Sequence, residues 1–151
     1  MSADTRMIIE ELHTLTGSQT ADLLALMREL NPNIPVTPEM LRRTAEAPGT
    51  HLFAAITPEG KIAGCASLCV FDSPTGRKAS VEDVVVASAF RGQGLGRALM
   101  EHIIDFARRE LGRVDLHLTS RPHRVAANEL YRSMGFQRKE TNAYVLVISE
   151  P

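Results

Sequence analysis

The pattern of hydrophobic and polar residues switches along the chain between the two-residue repeat of strands and the longer repeat of helices. Residues 18–30 place apolar side chains on one helical face, which predicts a first helix. Thr37 and Pro38 predict the start of a second helix, which should end near Pro48-Gly49. We therefore expect strands at 7–11, 52–57, 61–71, 79–86, 114–118 and 143–148, and helices at 18–30, after 37, after 94 and at 123–134.

This order of elements, β-α-α-β-β-β-α-β-α-β, predicts the α+β class, with a mixed, mostly antiparallel central sheet flanked by about four helices. A chain of 151 residues without repeats or a clear linker fits a single domain spanning 1–151. Tight turns at 58–60 and 72–78 should join the three central strands.

Composition narrows the class of protein. The formal net charge of −1 gives no electrostatic reason to expect nucleic acid or an acidic membrane as a partner. Cys65 and Cys69 would lie about 13 Å apart on one face of a strand, too far for a disulfide. Residues 1–10 lack a signal pattern, and no apolar stretch is long enough to span a bilayer. We therefore expect a cytoplasmic protein.

Residues 84–99 carry the clearest chemical signal. A β-branched run ends, a basic glycine-rich turn follows, and a helix begins at once. Glycines allow the backbone to approach a ligand closely, and the first amides of a helix favour an anion. Arg91 and Arg97 add positive charge on either side of the turn. The segment predicts a phosphate-binding loop, with a pyrophosphate as its best ligand.

Two common nucleotide-binding loops do not fit this spacing. A Walker A loop needs Gly-Lys-Ser/Thr, whereas Gly96 is followed by Arg97 and Ala98. The dinucleotide fingerprint that starts at Gly92 would need a third glycine at position 97. Asp115 does lie where a ribose-binding acid would be expected, so this residue alone does not exclude a dinucleotide.

The loop Arg91-Gly92-Gln93-Gly94-Leu95-Gly96 resembles the Arg/Gln-x-x-Gly-x-Gly/Ala loop of the GNAT superfamily of N-acetyltransferases. The segment 127–136, which contains Leu130-Tyr131 and Gly135-Phe136, is similar to a second motif of that family, and the order of elements matches its fold. The resemblance covers nearly the whole chain and implies acetyl-coenzyme A as the donor, with no metal.

The resemblance also implies which residues hold the donor. The pyrophosphate would lie on the loop amides, and the pantetheine arm would bond the backbone of the preceding strand. Where many relatives carry an asparagine that contacts the cofactor, this chain has Arg124, and Asn128 could replace it or could be a surface residue. The predicted cofactor-binding residues are Val84, Val85, Val86, Arg91, Gly92, Gln93, Gly94, Leu95, Gly96, Arg97, Asn128 and Tyr131.

Tyr131 is the predicted general acid. A thiolate leaves when an amine attacks a thioester, and a tyrosine hydroxyl near the sulfur can donate a proton to it. Family members commonly use the tyrosine at this position in that way. The alternative is a tyrosine packed at a helix end without a catalytic role.

Glu82 and Asp83 are candidates for the base that deprotonates the amine. Both interrupt an apolar strand, and strict alternation would place Glu82 with Val84 and Val86 and Asp83 on the opposite face. We expect Glu82 to be the catalytic residue and Asp83 to be the alternative. The run 82–84 also looks like the corresponding segment of glucosamine-phosphate N-acetyltransferases.

The acceptor is less defined. Thr119 stands where relatives that act on protein N-termini often have a glutamate, so a small-molecule amine is favoured over a protein. The turn 120–124 is unusually basic and could hold an anion or be a solvated loop. The histidines show no metal-ligand spacing. Family analogy allows a homodimer through the sheet edge or the last strand. The alternative function is a non-catalytic module that binds acyl-coenzyme A.

Overall fold

The computed structural model describes residues 6–151. Residues 1–5, half of the stretch considered for a targeting signal, lie outside the described residues. The chain divides into two compact units, one ending at Leu118 and the other beginning at Thr119. The first unit contains strands β1 (Ile8–Leu12), β2 (Thr50–Ile56), β3 (Ile62–Ser73), β4 (Gly76–Val86) and β5 (Asp115–His117), and helices α1 (Gly17–Leu30), α2 (Pro38–Glu46) and α3 (Leu95–Glu110). The second unit contains helix α4 (Val125–Ser133).

The strands form one sheet in the order β1-β2-β3-β4-β5. Neighbours from β1 to β4 are antiparallel, and β4 pairs with β5 in parallel. The turn between β3 and β4 is tighter than expected, because the ladder continues to Ser73 opposite Gly76. The predicted α+β class, with a mixed and mostly antiparallel sheet and four helices, is confirmed.

The two faces of the sheet pack against different helices. One face, which we call the α1/α2 face, presents Leu52, Cys65 and Val85 to a core shared with α1 and α2. The opposite α3 face presents Phe53, Leu68 and other buried residues, and α3 packs against β2, β3 and β4. Burial of these side chains is the main source of stability, since each fully buried large aliphatic or aromatic group contributes about 1.5–3 kcal/mol.

Helices α1 and α2 start as the sequence predicts. The Thr16 hydroxyl accepts from Gln19 N at 3.1 Å, and the Gln19 side chain accepts from Thr16 N at 3.0 Å, forming a capping box. Thr37 caps α2 by accepting from Met40 N at 3.2 Å, and Pro38 occupies the first turn. These side chains satisfy amides that would otherwise lack partners.

The predicted strand at 143–148 is wrong. After Ser133 the described chain has no further helix or strand, and Tyr144 to Ile148 are 82–89% exposed. The β-branched run has the composition of a strand, but a strand needs an adjacent backbone for its hydrogen bonds. A homodimer through this segment stays a prediction. Among residues 6–151, no helix is long and apolar enough to cross a membrane.

Candidate active site

The carboxylates of Glu82 and Asp83 lie at an irregularity in β4. Glu82 pairs with Ser67 and Val85 pairs with Cys65, so Asp83 and Val84 together stand opposite the single residue Ala66. Asp83 has φ 54°, a left-handed conformation that is uncommon for a residue other than glycine. This arrangement is a β-bulge, in which one strand carries an extra residue.

The bulge changes which side chains share a face. Because Ser67 and Cys65 both point to the α1/α2 face, their partners Glu82 and Val85 do so too. Val86 instead pairs with Gly64 and takes the opposite face. The expectation that Glu82 shares a face with Val84 and Val86 is therefore wrong, because alternation fails across an inserted residue.

Glu82 influences Asp83, and both carboxylates influence the same thiol. The Ser80 hydroxyl donates to Glu82 Oε1 at 2.6 Å. Partial burial raises the pKa of Asp83, and the charge of Glu82 raises it further. Burial raises the pKa of the Cys69 thiol, and both carboxylates add to that rise. The pairing of Glu82 with Ser67 places Glu82 on the same α1/α2 face as Cys69.

Beside the bulge, β4 loses its neighbour. The β4–β5 ladder joins only three residue pairs and ends at Ser80 opposite His117, whereas β4 continues to Val86. Among residues 6–151, no strand therefore pairs with the edge of β4 from Glu82 to Val86 on the β5 side. Its amides and carbonyls can bond an extended ligand as another strand would.

On its other side β4 is packed closely against β3. A Cβ on Gly64 would lie 3.0 Å from Val85 O and 3.4 Å from Val86 Cα, so only glycine fits here without a shift. The close approach holds the segment after the bulge against the sheet. The sequence signal is Gly64 itself, since a glycine within a strand often marks a bulge or a close backbone contact.

The glycine-rich loop follows β4 through a short 3-10 helix, Ser88–Phe90. Arg91 Nε donates to Val86 O at 3.1 Å, and Ser88 N donates to Glu29 Oε1 of α1 at 3.1 Å. The hydrogen bond from Ser88 lowers the pKa of Glu29, and the charge of Arg91 lowers it too. These contacts anchor the loop at the end of β4.

The loop turns at glycines with left-handed backbones. Gly92 has φ 80° and Gly94 has φ 78°, and a Cβ on either would meet no protein atom within 4 Å. Gly94 is the N-cap of α3, and α3 has no side-chain cap. No side chain of residues 6–151 caps the first amides of this helix, in contrast to those of α1 and α2. Arg97 adds positive charge there and lies 3.9 Å from Glu101.

Tyr131 lies in the second unit. It is buried, with its ring 6.1 Å from that of Phe136 in an edge-on arrangement. Burial raises the pKa of the Tyr131 hydroxyl, and the positive charge of Arg124 offsets part of that rise. The hydroxyl therefore keeps its proton at neutral pH, as a general acid requires.

Asn128 is also in the second unit, and its side chain has a structural task. Its Nδ2 donates to Arg121 O at 3.0 Å and to Arg124 O at 2.8 Å. The amide thereby holds the basic turn against the start of α4. A cofactor contact by Asn128 stays a prediction.

Comparison with known proteins identifies the family. The sequence profile of the acetyltransferase (GNAT) family matches residues 20–136. The chain is 32% identical over 139 residues to the N-alpha-acetyltransferase RimI of Mycobacterium tuberculosis, covering 91% of this chain and 84% of that protein. It is 38% identical over 87 residues to a streptothricin acetyltransferase of Streptomyces lavendulae, covering 58% of this chain and only 44% of that protein.

A solved structure agrees with the family assignment. A putative acetyltransferase from Agrobacterium tumefaciens str. C58 superimposes with a TM-score of 0.79 at 26% identity, covering 93% of this chain and 99% of that one. The family uses acetyl-coenzyme A, so the expected donor and the amine-acetylating activity agree with the comparisons. The chain belongs to the GNAT family of acetyltransferases.

Proposed function

We propose that this protein transfers an acetyl group from acetyl-coenzyme A to a primary amine of a small molecule by direct attack. Glu82 assists deprotonation of the amine, and Tyr131 protonates the departing thiolate. The observation that carries the proposal is the continuous stretch from the β4 bulge to the uncapped start of α3. There, acidic groups, an open strand edge and free helix amides follow one another along the chain.

Acetyl-coenzyme A fits this stretch by its chemistry. Its pyrophosphate matches the amides from Gly92 to Arg97, where the helix dipole favours negative charge. Its pantetheine arm carries amides that can pair with the edge of β4 at Val84 to Val86, which the β4–β5 ladder does not reach. When bound, the donor supplies the activated acetyl thioester. The side chains of this chain have to position the amine and move the protons.

The base must act on an amine that is mostly protonated in water, because the pKa of a free alkylamine is near ~10. Glu82 lies on the α1/α2 face at the end of the β4–β5 ladder, and the Ser80 hydroxyl fixes one of its oxygens at 2.6 Å. A carboxylate held in this way can accept the proton directly or through water. Asp83 is the alternative, because partial burial raises its pKa towards the range of a useful base.

The acceptor is proposed by class only. The similarity to a streptothricin acetyltransferase supports a small-molecule amine, and the similarity to RimI supports a protein N-terminus. Relatives that act on protein N-termini often have a glutamate where this chain has Thr119, so this position favours a small-molecule amine. A non-catalytic module that binds acyl-coenzyme A remains the second candidate, but such a module has no use for a fixed carboxylate beside the open strand edge.

Thiol release from acetyl-coenzyme A tests the proposal. Purified protein is mixed with acetyl-coenzyme A and a panel of amines, polyamines, amino sugars and short peptides, and free thiol is measured with time. We expect at least one small amine to accelerate release and to appear acetylated by mass spectrometry. Tight binding of acetyl-coenzyme A without acceleration by any amine would instead establish the binding module.

A further inference from the structure

His117 has a polar atom that the protein leaves without a partner. It pairs with Ser80 in the parallel β4–β5 ladder, so both side chains project from the α1/α2 face. Its Nε2 is buried and makes no hydrogen bond to any atom of residues 6–151. Folded proteins satisfy nearly all buried polar atoms with protein or water. The exception here indicates a place for a ligand atom or a water molecule.

The surroundings of His117 differ from the rest of its face. Under α1 and α2 the face is apolar, with Leu52, Cys65 and Val85 in the core. Further along, the same face carries a cluster that we call the polar ledge, which consists of Cys69, Ser80, Glu82 and His117. The ledge is only partly covered, and Glu82 is exposed. A polar ligand could therefore bind there without first displacing core residues.

The ledge connects His117 to the proposed base. Ser80 stands opposite His117 on the neighbouring strand, about 4.8 Å away between backbones. The hydrogen bond from the Ser80 hydroxyl holds the Glu82 carboxylate beside Ser80, the residue that pairs with His117. An amine bound by Glu82 would thus have His117 on its β5 side. A group next to that amine would lie on the side of Ser80 where His117 stands.

The hydrogen-bonding chemistry of imidazole indicates which functional group of an acceptor suits Nε2. A neutral histidine presents either a donor or an acceptor at Nε2, according to its tautomer. A hydroxyl satisfies both states because it donates and accepts, whereas an ammonium only donates and a carboxylate only accepts. An alkyl group would leave the buried atom unpaired, which is unfavourable.

We infer that His117 binds a hydroxyl adjacent to the reacting amine, so that the preferred acceptors are vicinal amino alcohols rather than simple alkylamines. The inference rests on the proposed function and names the acceptor class of the same site. His117 is a specificity-determining residue in it and takes no part in proton transfer.

A matched pair of acceptors tests the inference: trans-2-aminocyclohexanol and cyclohexylamine, which differ by one hydroxyl. We expect the wild-type protein to prefer the amino alcohol in kcat/KM by about three- to tenfold, the value of one hydrogen bond. His117→Phe and His117→Leu should abolish that preference and leave the KM for acetyl-coenzyme A unchanged. His117→Gln should restore part of it, because the glutamine amide can hydrogen-bond near the position of Nε2.

Thermal unfolding separates recognition from a structural role. Removing an unpaired buried polar atom should not lower the melting temperature of the free protein, so His117→Leu should be at least as stable as wild type. His102→Phe is the control, since His102 packs edge-on against Phe53 on the opposite face. It should keep the preference for the amino alcohol. Equal rates for the two amines in wild type, or an unchanged preference in both apolar variants, would overturn the inference.

Direct binding provides a readout that does not need turnover. Saturation-transfer NMR of the two amines is measured on the complex with coenzyme A, for wild type and His117→Leu. Stronger binding of the amino alcohol that the variant loses supports the inference, and equal binding of both amines to wild type overturns it. Failure of the proposed function is seen separately, as absence of thiol release with every amine tested.

Discussion

In the first unit, the first amides of the helices are capped in α1 and α2 but not by any side chain of the described residues in α3. Helices α1 and α2 begin with threonine caps that satisfy their first amides, and Pro38 reinforces the second of them. Helix α3 begins at a left-handed glycine with no side-chain cap. The strand before it carries a left-handed aspartate and has an edge that β5 leaves unpaired.

This difference supports the proposed position of the cofactor, at β4 and the start of α3. Around α1 and α2, threonine side chains satisfy the first amides of each helix. Around β4 and α3, the described residues supply neither a strand beside residues 82–86 on the β5 side nor a side-chain cap for α3, and Asp83 has an uncommon backbone conformation. Such features cost stability and persist where they serve a function. The variants below, in order of expected effect, test that division.

Replacing the proposed base should have the largest effect. Glu82→Gln should lower kcat by at least about 100-fold at neutral pH, because the amide cannot accept the proton of the amine. Affinity for acetyl-coenzyme A, measured by calorimetry, should stay the same. Steady-state kinetics at saturating donor provide the rate.

Asp83→Asn is the matched comparison for that variant. It should retain most of the activity and raise stability at neutral pH, since asparagine tolerates the left-handed backbone. The raised pKa of Asp83 means that the folded state disfavours its ionised form. The gain should therefore be present above that pKa and disappear in acid, where wild-type Asp83 is protonated. If Asp83→Asn lost its activity while Glu82→Gln stayed active, Asp83 would be the base and Glu82 would not.

Tyr131→Phe comes next. Loss of the proton donor should slow turnover by about 100-fold, the low end of the range for general acids, with little change in binding of acetyl-coenzyme A. The burial that raises the pKa of Tyr131 keeps wild type protonated through neutral pH. Substitution of Tyr144, which is 89% exposed, by phenylalanine is the control. An unchanged rate in Tyr131→Phe would remove the acid role.

Gly94→Ala sharpens the comparison of the helix starts. A methyl group at φ 78° strains the backbone, and it stands where a phosphate would approach. We expect affinity for coenzyme A to fall about tenfold and stability to fall by about 1 kcal/mol. Gly60→Ala is the matched control, because Gly60 has φ 87° and equally open surroundings. It should show the same loss of stability with unchanged affinity.

Thr37→Ala gives the smallest effect on function. Removing the cap of α2 should lower the free energy of unfolding by about 1 kcal/mol, measured by urea denaturation. The kinetic constants for acetyl-coenzyme A should stay at their wild-type values. A marked rise in the KM for the donor would show that the capped helices also take part in binding it, and the division between the two regions would fail.

Much of the fold could be predicted because its signals are local. Thr37-Pro38 predicts the start of α2 from its own residues, and the glycines at 92 and 94 predict the turn before α3. The strand at 143–148 was wrong because composition reports the propensity of a segment and not whether a partner strand is present. Its pairing depends on residues distant in sequence.

The sequence alone determined the family, through its glycine loop and the pair Leu130-Tyr131, and with the family the donor. Only the tertiary structure decided how the acids are arranged. The bulge opposite Ala66 arises from the pairing of β3 with β4, so no periodicity along β4 could reveal that Glu82 and Val85 share a face. Only the β4–β5 register places His117 beside Ser80. Caps, turns and short motifs depend on residues close together in sequence, so they can be predicted from it. The arrangement of a site depends on which strands become neighbours, and only the tertiary structure determines that.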